Sequence, residues 1–173
     1  MAGLDVPPPH RVPRDQLTQE HTLRRPLDLM ASKGGHGAPI LILMDADDDG
    51  PAELGPRIAT IARKLRPDRR IGVVLAHREF ECWFLAGVSS LRGVRGLPPD
   101  IVGPPEPEGV RDAKGWLNAH MPPQRRYAPR VDQAALASCL DLESALPGSP
   151  SLRKLVREVA WLVDRPVPNV AAR

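Results

Sequence analysis

The chain carries two short, unbroken apolar runs, residues 40–44 (Ile-Leu-Ile-Leu-Met) and residues 71–76 (Ile-Gly-Val-Val-Leu-Ala). Runs of this length without alternation predict strands covered on both faces, as in a parallel sheet. Between them Leu54, Ile58, Ile61, Ala62 and Leu65 recur at helical spacing, while Arg57, Arg63 and Lys64 take the other face. Gly50-Pro51 marks the start of that helix, because proline suits a first-turn position, and Pro67-Asp68 marks its end. Strand, helix and strand in about 35 residues form a βαβ unit with a right-handed crossover.

The flanking segments predict further elements. Residues 6–14 are broken by prolines, with Arg11-Val12-Pro13 as a candidate short strand. Residues 16–33 have helical composition, interrupted at Pro26 and ended by Gly34-Gly35. Downstream, Phe80, Trp83, Phe84, Val88 and Leu91 fit one helical stripe. That stripe puts Arg78, Glu79 and Glu81 at a helix start, beside the end of the second strand. Residues 97–109 read as a loop rich in proline and acid. Helices are expected near residues 110–121, 131–142 and 151–163. In the last of these, Leu152, Leu155, Val156, Val159 and Leu162 form an apolar face. The tail from Asp164 reads as frayed. The expected class is α/β with a short, mainly parallel sheet.

At 173 residues the chain is about one domain. An apolar fraction of 42% supports a core, and aromatic residues at 3% leave the packing to aliphatic side chains. Of the 21 prolines, 12 cluster at residues 7–13, 98–107 and 122–129, which read as loops. A net charge of +3 permits a nucleic-acid partner without arguing for one. Cys82 and Cys139 fit neither a zinc spacing nor a disulfide framework, so a reducing cytoplasm is expected. No apolar run approaches the roughly 20 residues of a membrane span, and no signal-peptide core is visible.

The candidate chemistry sits where the first strand ends. Asp45-Ala46-Asp47-Asp48-Asp49 places four acids in five positions, closed by Gly50. In open α/β sheets, ligands bind outside the carboxyl ends of the strands. Alternation along a strand puts Asp45 and Asp47 on one face. Two close carboxylates repel unless a proton or cation lies between them. Mg²⁺ or Mn²⁺ is the natural partner for such oxygens, with Asp45, Asp47 and Asp49 as candidate ligands. The same cluster also reads as an acidic turn, with Asp48 and Asp49 as N-cap and first turn of the next helix. Glu79 and Glu81 are site acids or acids favoured by a helix N-terminus. Arg78 is a phosphate contact or a partner for those acids. Lys114 is a stabiliser of phosphoryl charge or a solvated helix lysine. Arg125 and Arg126 beside Tyr127 could track a phosphate backbone while the tyrosine stacks on a base, or form an ordinary exposed loop. No zinc cluster, nucleophile elbow or glycine-rich phosphate loop is present, and His77 is the one histidine near the acids.

Five motifs in order carry a resemblance: Leu41-Ile42-Leu43-Met44-Asp45-Ala46-Asp47-Asp48-Asp49, then Arg78-Glu79-Phe80-Glu81 with Trp83-Phe84-Leu85, then Arg111-Asp112-Ala113-Lys114-Gly115-Trp116-Leu117, then Val131-Asp132-Gln133-Ala134-Ala135-Leu136, then Ser149-Pro150-Ser151. The series resembles a bacterial domain-of-unknown-function family, number four-two-seven-six, over nearly the whole chain. That family is regarded as Toprim-like, related to the topoisomerase–primase domain and to the overcoming-lysogenization-defect nucleases. The resemblance implies a three-layer α/β/α core over residues 1–96 and a C-terminal loop-and-helix region, residues 97–173, packed on the same domain. It implies Mg²⁺-dependent phosphoryl transfer, with Asp45 and Asp47 as the Asp-x-Asp pair, Glu79 and Glu81 as further acids and Lys114 as a charge stabiliser. An AAA-type or ABC-type ATPase partner is also implied. One departure stands out: the family's opening strand–glutamate–helix unit is expected to be missing, since the first glutamate, Glu20, lies in a helical stretch.

The leading expectation is therefore a metal-dependent nuclease-like module acting on nucleic acid, with an ATPase partner. The second is a non-catalytic interaction or regulatory subunit of an ATPase-containing defence-type system. The third is a metal-dependent hydrolase of a small phosphorylated substrate.

Overall fold

The computed structural model describes residues 6–166. Both apolar runs are strands, β1 (Ile40–Asp45) and β2 (Ile71–Ala76), paired in parallel with Ile40 opposite Ile71 and Asp45 opposite Ala76. The crossover helix α3 (Pro51–Leu65) starts at its proline, as expected. Its N-cap is Gly50, so Asp48 and Asp49 are not its cap and first turn. The reason lies in the turn before it: Asp47 is left-handed, and the Asp49 N–H donates to the Ala46 carbonyl at 3.0 Å. The acids are used up in that turn before the helix begins.

Ahead of β1 lie α1 (Arg14–Leu17) and α2 (Glu20–Lys33). The break falls at Thr18-Gln19 and not at Pro26, which is buried inside α2. At the junction the Thr22 hydroxyl donates to the carbonyls of Gln16 (3.1 Å) and Gln19 (3.2 Å). Arg11-Val12-Pro13 forms no strand; Pro13 has no N–H to give a ladder and instead leads into α1.

The alternation of β2 explains its complete burial. Ile71, Val73 and Leu75 pack with Leu23, Leu27, Leu54, Ile58 and Ala62 of α2 and α3. Val74 and Ala76 pack on the other face with Trp83, Leu146 and Leu152. Leu152 belongs to the last helix, α8 (Pro150–Leu162), and Leu146 follows α7 (Leu142–Ala145). Glycine at position 72 lets α8 come close, because a Cβ there would lie 3.0 Å from Leu162 Cδ1. Over β2 the layers are thus helix, sheet, helix. The outer layer stops short of β1, where Leu41 and Leu43 stay 38% and 41% exposed.

The predicted long helix through Leu91 is instead α4 (Cys82–Ala86) followed by a 3₁₀ turn, Val88–Leu91. Gly87 separates them, and a Cβ at that position would lie 2.8 Å from the Cβ of Ala145. Gly87 is the C-cap that ends α4, and its missing Cβ leaves room for α7. Phe84, Val88 and Leu91 still share one cluster, together with Leu97, Leu117 and Leu136. Leu117 lies on α5 (Ala113–Ala119) and Leu136 on α6 (Pro129–Cys139). Asp164, the first residue of the expected frayed tail, is held by Arg70; the rest of that tail beyond residue 166 lies outside the described residues. Among the described residues no helix is long and apolar enough to cross a membrane.

Because α8 supplies one wall of the sheet, Leu152→Ala is expected to lower the unfolding free energy by about 2–5 kcal/mol. Urea unfolding followed by tryptophan fluorescence and circular dichroism should show one shifted transition for the whole chain. An early, separate transition of the C-terminal helices would contradict this packing.

Candidate active site at the strand ends

Two turns meet where the parallel strands end. The Ala46 N–H donates to the Ala76 carbonyl at 2.8 Å, and the Asp47 N–H to the Arg78 carbonyl at 2.9 Å. Asp47 (φ 52°) and Arg78 (φ 61°) are both left-handed, a conformation that costs a non-glycine residue on the order of 1–2 kcal/mol. Such strain collects at functional sites. Asp45 lies just inside this junction, and its Oδ1 accepts the Phe80 N–H at 2.7 Å. That bond joins the end of β1 to the turn that carries Glu79 and Glu81.

Glu79, Glu81 and Lys114 form a compact charge cluster. Lys114 Nζ lies 2.7 Å from Glu79 Oε1 and 3.1 Å from Glu81 Oε2. Glu79 Oε2 also accepts the Lys114 backbone N–H at 3.2 Å, at the start of α5. Glu81 is 0% exposed. Its Oε1 accepts Tyr127 Oη (3.0 Å) and Gln133 Nε2 (2.8 Å), whereas its Oε2 accepts no hydrogen bond. Among the described residues, that oxygen is compensated by the lysine charge alone.

Arginines hold the outer acids. Arg14 donates to the carbonyls of Asp45 and Ala46 and pairs with Asp47 (3.3 Å) and Asp49. Asp48 lies 3.4 Å from Arg78 and 3.3 Å from Arg111. Burial raises the Asp45 pKa; the Phe80 N–H and the Lys114 charge oppose this, while Glu81 and Asp47 add to it. Burial alone would lower the Lys114 pKa, but its bond to Glu79 and the charge of Glu81 hold it above the ordinary lysine range.

A family model described as "Domain of unknown function (DUF4276)" matches residues 10–160. The chain belongs to the DUF4276 family. No curated protein and no solved structure matches it.

In this DUF4276 chain the fold brings Asp45, Glu79, Glu81 and Lys114 into one neighbourhood from three separate motifs. It does not bring Asp45, Asp47 and Asp49 together as a ready ligand set. Among the described residues no group of three His, Cys, Asp or Glu side chains could hold a metal ion. The physical reason is that Arg14 draws Asp47 and Asp49 to itself. The donor chemistry still fits a hard cation, since the acids offer carboxylate oxygen, although the buried Glu81 Oε2 already faces Lys114 at 3.1 Å. Mg²⁺ is commonly held by one or two carboxylates, with water and substrate phosphate completing its shell.

The nucleic-acid contacts expected at residues 125–127 are only partly available. Tyr127 is 8% exposed and spends its hydroxyl on Glu81, so it is not a stacking platform. Burial and the Glu81 charge raise its pKa. Arg125 pairs with the buried Asp132, Arg126 is exposed, and Arg78 faces Asp48. His77 Nδ1 bonds the Glu108 carbonyl at 2.8 Å and takes no part in the charge cluster. Arg14 and Gln133 are the residues that sequence reasoning missed. Arg14 looks like any charged residue beside a proline, and only the chain path reveals its role.

Two outcomes follow from these electrostatics. Lys114→Met leaves the buried Glu81 carboxylate uncompensated and should cost about 3 kcal/mol; adding Glu81→Gln should recover much of that in a double-mutant cycle of urea unfolding. Asp45→Asn removes a carboxylate whose folded pKa is raised. Its stabilisation should be full above that folded pKa, shrink as pH falls through it, and vanish below the ordinary carboxylate value near 4. Thermal midpoints of both proteins between pH 4 and 8 check the sign, and a gain that grows toward acid would contradict it.

Proposed function

We propose that this chain is a metal-dependent, phosphodiester-cleaving module of the nuclease type, with Toprim-like chemistry and an ATPase partner. The observation that carries this reading is the convergence at the strand ends of Asp45, Glu79, Glu81 and Lys114. Strand ends of open α/β sheets are where such folds bind ligands. Asp45, with Asp47 once it leaves Arg14, would supply the one or two carboxylates that hold Mg²⁺ or Mn²⁺, with water and substrate phosphate completing the shell. When bound, that cation supplies an activated water and neutralises charge on the leaving oxygen.

The remaining work falls to the chain's own side chains. Lys114, already charged and held between two glutamates, stabilises negative charge that builds on a phosphoryl group. Arg14 is bound to Asp47 and Asp49, and approach of a phosphate gives it a competing anion. Release of those carboxylates would make them available as oxygen donors. Arg78 and Arg111, both within 3.4 Å of Asp48, raise the positive potential at the mouth of the site.

The test is cleavage of plasmid and single-stranded DNA or RNA by the full chain, alone and with a candidate AAA-type or ABC-type ATPase. Cleavage should require Mg²⁺ or Mn²⁺, and Asp45→Asn should lower it by roughly a hundredfold or more. Complete inactivity in every combination would sink the proposal. The second reading, a non-catalytic subunit of an ATPase-containing system, draws support from the arginine-bound acids and the uncovered face of β1. A stable ATPase complex unchanged by Asp45→Ala, with no cleavage, would favour it.

A further inference from the structure

A second candidate site lies at the other end of the sheet. Where β2 begins, α3 and α8 flank a cleft of about 710 Å³ lined by Arg63, Arg69, Arg70, Arg157, Glu158 and Trp161. Six-residue strands separate it from the acids by about 17 Å along the sheet. The cleft's lining carries four arginines against one carboxylate, Glu158.

Most charges near this cleft have partners, but two do not. Arg69 is spent on Asp68 and on the carbonyls of Ala31 and Ala38, and Arg70 is shared with Asp164. Glu158 pairs with Lys154 at 2.8 Å. Arg63 and Arg157 meet no carboxylate among the described residues. Arg63 donates instead to the Ile71 carbonyl and sets its guanidinium 5.7 Å from the ring centroid of Trp161. With that cation in place, Trp161 is still 46% exposed. An indole this open, beside unneutralised guanidinium groups, offers a π-face and positive charge within one cleft.

We propose that this cleft binds a segment of single-stranded nucleic acid. Trp161 stacks on a base, and Arg63 and Arg157 meet the flanking phosphates. An acidic peptide would use the arginines but leave the ring face idle, so nucleic acid accounts for more of the surface. The inference does not depend on cleavage at Asp45, because binding here needs neither metal nor the acids.

The experiment is fluorescence anisotropy of a labelled oligothymidylate with the full chain in EDTA, where cleavage plays no part. Trp161→Ala and Arg157→Glu should each weaken binding by about tenfold or more, whereas Trp161→Phe should retain most of it. Arg157→Gln should also reduce the slope of log affinity against log salt by about 0.7, the share of one phosphate contact on a single strand. Circular dichroism of each variant confirms folding; Trp161→Phe and Arg157→Gln serve if a harsher change unfolds the chain. Affinity within twofold of the parent for both Trp161→Ala and Arg157→Glu would overturn the proposal. So would an absence of oligonucleotide binding, equal affinity for an acidic peptide of matching charge, or equal affinity for thymidine monophosphate.

Discussion

One ammonium group organises the strand-end cluster. Lys114 Nζ sits between Glu79 and Glu81, and Glu81 is fully buried with one oxygen that has no other compensation. A buried carboxylate without a partner costs several kcal/mol. The position of α5 is therefore tied to the turn after β2, both through the side chain of Lys114 and through its backbone N–H on Glu79. Glu81 in turn holds Tyr127 and Gln133, which ties in the loop before α6 and α6 itself. Three stretches far apart in sequence converge on this one charge.

The same balance shapes what the site can do. Five of the six acids here are ion-paired: Glu79 and Glu81 face lysine, and Asp47, Asp48 and Asp49 face arginine. Asp45 is the exception among them, tied to a backbone N–H and raised in pKa by burial. An arrangement of paired charges can yield to an incoming anion, since phosphate competes for the arginines and frees carboxylate oxygens. Ligand binding at such a site costs the ion pairs that it replaces. That is a physical reason for the acids not to be gathered in advance around one point.

Much of the α/β frame was legible from the chain because burial on two faces needs unbroken apolar runs. Residues 40–44 and 71–76 announce β1 and β2, and the periodicity of Leu54, Ile58, Ala62 and Leu65 announces α3. The Asp45–Asp49 turn was legible as a charged strand end. Other features depend on contacts between distant residues. The end of α4 falls on its C-cap, Gly87, where α7 packs so close that a Cβ would lie 2.8 Å from that of Ala145, a contact between residues far apart in sequence. Tyr127 sits in an arginine-rich stretch that reads as exposed, yet its partner Glu81 is buried and draws it inside. Arg14 reaches across to the β1 end only because α1 folds back beside it.

The central claim is that this strand-end cluster takes up a divalent cation together with a phosphodiester. The most direct measurement is an electron paramagnetic resonance titration of Mn²⁺ into the full chain, with and without a cleavage-resistant phosphorothioate oligonucleotide. The account predicts weak Mn²⁺ uptake alone, tighter uptake with the oligonucleotide, and loss of both with Asp45→Asn. Mn²⁺ uptake that ignores the oligonucleotide and survives Asp45→Asn would contradict it.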